Sequence, residues 1–168
     1  MYLEEFFNYK NQLMQDILTN DTLVDLISCG QVKTSDAARL AYDQIWPCEY
    51  ITDTLEEGKT YVCFDVDIQK SINKTFYLPV VYVWIFTHRH LLRLPEGGLR
   101  TDKIAAEITR MLDGSKMYGM GDLRLYSAKR FVPLNDWAGK VLMFDAKEIS
   151  KTHPTGKKAP PNRLYNNL

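Results

Sequence analysis

The sequence of 168 residues has little of what most classes of protein function require. Its three cysteines, Cys29, Cys48 and Cys63, show no Cys-x-x-Cys spacing, so they predict neither a disulfide framework nor a zinc ribbon, and buried free thiols are the simpler interpretation. No run approaches the ~18 apolar residues of a membrane span, and the start at Met1 lacks the basic and apolar regions of a secretory signal. The sequence therefore predicts a soluble protein of the cell interior with no membrane partner.

The formal net charge is zero, but the charges are unevenly distributed. Residues 151–168 contain four basic residues and no acid, so the remaining body carries a net charge of −4. A body of this kind lacks the clustered cations that release counterions from phosphates. Direct sequence-specific binding of nucleic acid is therefore not expected.

Motifs for catalysis and for cofactor binding are absent as well. The segment Thr155-Gly156-Lys157-Lys158 lacks the first glycine and the strand-to-helix turn of a phosphate-binding loop. Gly119 and Gly121 have no third glycine at the dinucleotide spacing, and no serine stands in a nucleophile-elbow sequence. The sequence thus predicts no catalytic residue, no cofactor and no enzymatic activity.

Two small groups of residues resemble metal ligands. His88 and His90 share one face of an extended segment, but no nearby Cys, Asp or Glu completes a set of four ligands, and Arg89 adds a positive charge. Asp65 and Asp67 share a strand face, which the alternation of a half-exposed strand explains. Neither group is therefore predicted to bind a metal.

Apolar periodicity predicts a helical N-terminal part over residues 1–47. It indicates an amphipathic first helix, then a short second helix that is capped by Asn20-Asp21-Thr22 and ended by Gly30. A third helical stretch is predicted from Thr34 to Trp46, where Pro47 ends it.

Residues 60–149 are predicted to form a β-β-α-β-β core, an antiparallel or mixed sheet packed on a helix. The two closing strands, Leu123 to Arg130 and Lys140 to Ile149, are expected to pair antiparallel. Residues 1–149 are thus predicted to form a single α+β domain. Residues 150–168 are too polar and too rich in proline to pack a core, and are predicted to form an extended or disordered basic tail.

The segment from Thr75 to Thr87 is apolar on both faces and longer than the usual strand of about five or six residues. We expect a central strand, part of which extends beyond its own sheet toward a partner, with a bulge or an edge near Pro79. The tail is expected to dock on a neighbouring subunit near acids such as Glu56 and Glu57. The predicted interface residues are Val81, Val83, Ile85, Tyr118, Trp137, Lys157, Lys158, Arg163, Leu164 and Tyr165.

The order of these elements resembles that of the tail terminator and tail-completion proteins of long-tailed bacteriophages and prophages. The likeness covers residues 1–149 and includes the corner Asn20 to Gly30, which reads Asn-Asp-Thr-Leu-Val-Asp-Leu-Ile-Ser-Cys-Gly. It implies a non-enzymatic subunit that forms a hexameric ring at the head-proximal end of the tail tube, stops tube growth and joins the tail to the head connector. The implied partners are other copies of the chain, the tail tube protein, and sheath and neck proteins. The implied location is the virion, after assembly in the host cytoplasm.

Two alternatives remain open at this stage. The long third helical stretch and the basic tail are also compatible with a head–tail joining or head-closure adaptor of the phage neck. A small nucleic-acid-processing enzyme is the alternative from another class. Flanking genes for a tail tube, a sheath or a portal would favour assembly, whereas nuclease or repair genes would favour the enzyme.

Overall fold

The computed structural model describes residues 3–51, 54–71, 77–116 and 122–146. In chain order its elements are α1 (Leu3–Thr19), α2 (Asp21–Ser28), a 3-10 helix (Thr34–Leu40), β1 (Ile45–Trp46), β2 (Thr60–Ser71), β3 (Tyr77–His88), α3 (Arg89–Leu92), α4 (Arg100–Leu112), β4 (Leu123–Phe131) and β5 (Trp137–Ala146).

The five strands form one mixed sheet in the order β1-β2-β3-β5-β4. The short strand β1 is parallel to β2, and the other neighbours pair antiparallel. This arrangement confirms the predicted α+β class, the central position of β3 and the antiparallel pairing of the two closing strands.

The first two helices follow local signals in the sequence. In α1, Leu13 and Ile17 are buried while Gln12 and Gln15 on the opposite side are exposed. The side chain of Asn20 caps α2 by accepting a 3.0 Å hydrogen bond from a backbone N–H in the first turn. Both predicted helices and the predicted cap are therefore confirmed.

The third helical stretch, predicted from Thr34 to Trp46, is wrong in its second half. The 3-10 helix ends at Leu40, and the next turn places Tyr42 at a φ of 59°, outside the helical region. The buried side chain of Gln44 then donates hydrogen bonds of 2.9 and 3.0 Å to carbonyls of α2 and β2. These bonds hold the chain beside β2, so the residues that follow form the strand β1.

The main core lies between the helices and one face of the sheet. Its members share this position and are nearly all fully buried. The largest of them include Leu13, Ile17, Leu23, Ile27, Leu40, Ile45, Phe64, Ile85, Ile104, Ile108 and Phe144. Arg100, 9% exposed, ties the helices together, because its guanidinium donates to carbonyls at Leu26 (2.7 Å) and Leu91 (2.9 Å).

A second hydrophobic cluster occupies one end of the opposite face of the sheet. Its buried members are Tyr61, Cys63, Phe86 and Trp137. The loop before β2 covers it, and here Tyr50 stacks on a neighbouring indole ring at a centroid distance of 3.8 Å. Tyr50 is therefore part of an irregular covering loop.

Several boundaries differ from the predicted ones. The short helix α3 follows β3 directly, and β5 begins at Trp137 instead of the predicted Lys140. The register of β2 shifts between Ile68 and Lys70, opposite Pro79, which confirms the predicted bulge. In the described part of the chain, residues 77–79 pair with β2 but not with β5. The predicted end of the last strand and the whole tail lie outside the described residues.

None of the helices in the described ranges has the length and apolar character that crossing a bilayer requires.

Candidate functional site: an assembly surface

Four apolar side chains form a partly exposed block on the face of the sheet that points away from the main core. Tyr82 and Met143 are cross-strand partners, as are Trp84 and Val141, and all four are half-buried. The rings of Tyr82 and Trp84 stack at a centroid distance of 5.7 Å and an interplanar angle of 23°. Large aromatic side chains that are half-covered in this way are typical of protein interfaces. We call these four residues the aromatic block.

The predicted interface on β3 is corrected, because it lies on the wrong face of the strand. Val81, Val83 and Ile85 are 0%, 1% and 0% exposed and pack in the main core against the chain's own helices. Trp137, another predicted interface residue, is 7% exposed and belongs to the second cluster. None of these four side chains offers a surface to a partner in the folded chain.

The other predicted interface residues stay predictions. They all lie outside the described residues: Tyr118, Lys157, Lys158, Arg163, Leu164 and Tyr165. Glu56, one of the acids expected to receive the tail, forms a 2.9 Å ion pair with Lys59.

The sequence did not reveal the aromatic block, because the pairing register of β2 and β3 decides which face of β3 is exposed to solvent. Asp65 pairs opposite Tyr82, and Phe64 pairs opposite Val83. The wet face of β2 therefore continues into the even-numbered residues of β3, although these include the larger aromatic side chains. The carboxylates at positions 65 and 67 were the available signal, but they identify the face only once the pairing is known.

The charged side chains described at the two edges of the sheet have opposite signs. Along the outer strand β4, Arg124, Lys129 and Arg130 are exposed. On the other side, β1 covers only two residues of β2, and the uncovered part of β2 carries the exposed Asp67 and the half-buried Asp65. In the described ranges, Asp65 pairs with a lysine of α1 at 2.5 Å, whereas Lys129, Arg130 and Asp67 form no ion pair.

Two candidate catalytic groups in the described residues, Lys59 and Cys63, are held in unreactive states. A polar cleft of about 520 Å³ contains Lys59, whose ammonium group lies 2.5 Å from Asp43 and 2.9 Å from Glu56. The hydrogen bond to Asp43 raises the pKa of Lys59, against the smaller effect of burial, so the amine stays protonated. Burial raises the pKa of the Cys63 thiol to about 12, which suppresses the nucleophilic thiolate.

The structure brings a carboxylate to the histidines that the sequence left without a third ligand. The Nδ1 atoms of His88 and His90 are 2.5 Å apart, and Glu57 joins them so that one ligand atom from each residue lies within 4.8 Å of the others. Glu57 thus provides a third candidate ligand, although the group does not reach four protein ligands. Glu57 was missed because it comes from the loop before β2, and the path of that loop is not encoded in a local pattern.

Comparison with known proteins relates this chain to a protein family and to a chain of a solved structure. The YomW family matches residues 5–146, and no curated protein matches the chain. The solved structure titled "Virion of native gene transfer agent (GTA) particle" contains a similar chain, with 17% sequence identity and a TM-score of 0.47 over 82% of this chain and 92% of that chain. That likeness is too distant to carry an argument about function. Because the family match spans most of the sequence, the chain belongs to the YomW family, which is associated with bacteriophages.

Proposed function

We propose that the protein is a structural component of the virion, a tail terminator-like subunit that forms a ring at the head-proximal end of a tail tube. Membership of a phage-associated family supports the virion role. The observation that carries the ring is the opposite charge of the two sheet edges. In a ring, each subunit uses one surface to contact a different surface of the next subunit, so two distinct and complementary surfaces are required.

The β4 edge and the uncovered β2 edge meet this requirement. Lys129 and Arg130 of one subunit would face Asp67 of the next subunit. The aromatic block belongs to the same contact, because Lys129 lies directly opposite Val141 in the register of β4 and β5. A neighbour that approaches the β4 edge therefore reaches the apolar side chains beside it.

The two parts of the contact have different energetic roles. An exposed ion pair contributes only about 0.2–1 kcal/mol, so the edge charges mainly orient the subunits and exclude wrong pairings. The exposed cations and the bulge in β4 also discourage unspecific strand pairing along this open edge. Burial of the aromatic block would supply most of the affinity.

Charge reversal at each edge tests this arrangement, and reversal at both edges together should restore the contact. The variant Lys129→Glu/Arg130→Glu and the variant Asp67→Lys should each fold but lose ring formation, because each places like charges across the contact. A triple variant that combines all three changes should restore rings. Arg93→Glu, an exposed reversal away from both edges, is the matched control and should assemble normally.

Native mass spectrometry of each variant, alone and with purified tail tubes, gives the readout. Rings in wild type, control and triple variant, but not in the two single-edge variants, would support the proposal. Equal assembly by all variants would refute it. A ring that binds a purified portal or connector but not the tube would reassign the protein to the neck adaptors.

The basic tail is proposed to strengthen the same assembly. About eighteen extended residues span up to roughly 60 Å, which is enough to cross a neighbouring subunit. Truncation after Ser150 should leave the melting temperature nearly unchanged while weakening ring formation or attachment, and assembly of the full chain should weaken with salt. If the truncated chain assembles into particles as well as the full chain does, the tail is a passive extension.

A further inference from the structure

We propose that Glu57, His88 and His90 form a metal site for a divalent transition-metal ion of the Zn²⁺ class. This site is independent of the proposed ring contact. The three residues come from the loop before β2, from the end of β3 and from the start of α3, and one ligand atom of each lies within 4.8 Å of the other two.

The donor set selects the class of ion. Two imidazole nitrogens and one carboxylate oxygen suit Zn²⁺ and related late first-row ions, whereas Ca²⁺ and Mg²⁺ require sites built mainly from oxygen. Three protein ligands leave the fourth position of a tetrahedral ion open for water or for a group from a partner.

The geometry requires only a small adjustment of the histidine rings. Zinc–nitrogen bonds of about 2.0–2.1 Å in a tetrahedral site place two ligating nitrogens about 3.3 Å apart. The Nδ1 atoms of His88 and His90 are 2.5 Å apart, and their ring centroids are 4.6 Å apart. Because His90 is exposed, a rotation of its ring can provide the missing separation.

Neighbouring residues orient the ring of His88 and pair the positive charge of Arg89. The ring of His88 packs edge-on against Trp137 at 5.6 Å. Arg89, which lies between the histidines in sequence, is ion-paired with Asp136 at 2.6 Å, and its backbone N–H donates to the carbonyl of the same residue at 2.8 Å. The guanidinium is therefore engaged by a carboxylate of its own.

The loop that carries Glu57 is also anchored. The backbone N–H of the preceding residue, Glu56, donates a 3.1 Å hydrogen bond to the hydroxyl of Tyr61, a buried member of the second cluster. A bound ion would add a second attachment of this covering loop, this time to the end of β3. We therefore expect the ion to stabilise the cover of the second hydrophobic cluster.

The test uses the full chain without a histidine tag, titrated with Zn²⁺ by calorimetry, with Co²⁺ as a spectroscopic probe of coordination. Wild type should bind one ion per chain, and Co²⁺ should give the visible absorption bands of a low-coordinate nitrogen and oxygen site. Glu57→Gln and His90→Ala should each weaken binding by more than about tenfold, since even outer-shell partners of a metal are typically worth 10- to 100-fold.

Two matched controls separate this site from unspecific binding. Glu56→Gln removes the neighbouring carboxylate, and His153→Ala removes the one histidine outside the cluster. Both should bind as wild type does, and Zn²⁺ should raise the melting temperature of wild type but not of Glu57→Gln. Absence of saturable binding, or binding that Glu57→Gln leaves unchanged or that His153→Ala abolishes, would overturn the proposal.

Discussion

Replacing Gly139 with alanine should destabilise the fold strongly. Gly139 lies in β5 and pairs with Phe86 of β3 on one side and Phe131 of β4 on the other. A Cβ atom added at this position would lie 2.0 Å from the carbonyl oxygen of Ile85 and 2.8 Å from the Cβ of Phe86. The closest atom belongs to the backbone, so no flexible side chain can move aside.

The magnitude follows from the cost of overpacking. An extra methyl group in a well-packed site typically lowers the free energy of unfolding by about 1–3 kcal/mol. Because the clash here is with the backbone of a central strand, we expect a loss at or above the upper end of this range. A loss of about 3 kcal/mol in the free energy of unfolding corresponds to a fall in melting temperature of roughly 6–12 °C for a chain of this size.

Thermal unfolding followed by circular dichroism measures this change. Gly58→Ala is the matched control, because its added Cβ would meet no atom within 4 Å, and it should change the free energy of unfolding by less than about 1 kcal/mol. If the two variants melt at the same temperature, the close approach of β5 to Phe86 does not exist and the packing of the second cluster is wrong.

Four further predictions concern the cysteines, the cap of α2 and the two faces of β3. Thiol reagents should label the exposed Cys48 rapidly and the buried Cys63 only on unfolding. Burial raises the pKa of Cys63 to about 12, so the contribution of the neutral thiol to stability should be full below its ordinary pKa near 9 and lost as the pH rises toward 12. Alkaline denaturation of wild type and of Cys63→Ala would reveal this loss. Asn20→Ala should lower the free energy of unfolding by about 1 kcal/mol in urea titrations, since it removes the cap of α2, and an unchanged midpoint would count against that cap. A charge at the half-buried Trp84 should abolish assembly and lower the melting temperature only moderately, whereas a charge at the buried Val83 should unfold the chain. Equal effects of Trp84→Glu and Val83→Glu on the melting temperature would contradict the assignment of the two faces.

Helices α1, α2 and α4 could be predicted because their signals are local. The capping side chain of Asn20, the apolar stripe of α1 and the periodicity of α4 each lie within a few turns of chain. The strand β1 could not be predicted in this way. It is two residues long, and it exists because Gln44 binds carbonyls that belong to distant elements.

The candidate site was predicted less well because it depends on pairing between segments far apart in sequence. Both faces of β3 are apolar, so the choice between Val83 and Trp84 as the exposed residue required the register with β2. The association of Glu57 with the two histidines likewise depends on the path of a loop. The opposite charges of the sheet edges emerge only when the strand order is known, because β2 and β4 are adjacent neither in space nor in sequence.

The proposed position at the head-proximal end of the tail can be tested on intact particles. Purified particles of a phage that encodes the chain would be treated with gold-labelled antibody against it and imaged by negative-stain electron microscopy. We expect label confined to the head-proximal end of the tail. Intact particles that lack the protein, or label spread along the tube or the head, would contradict it.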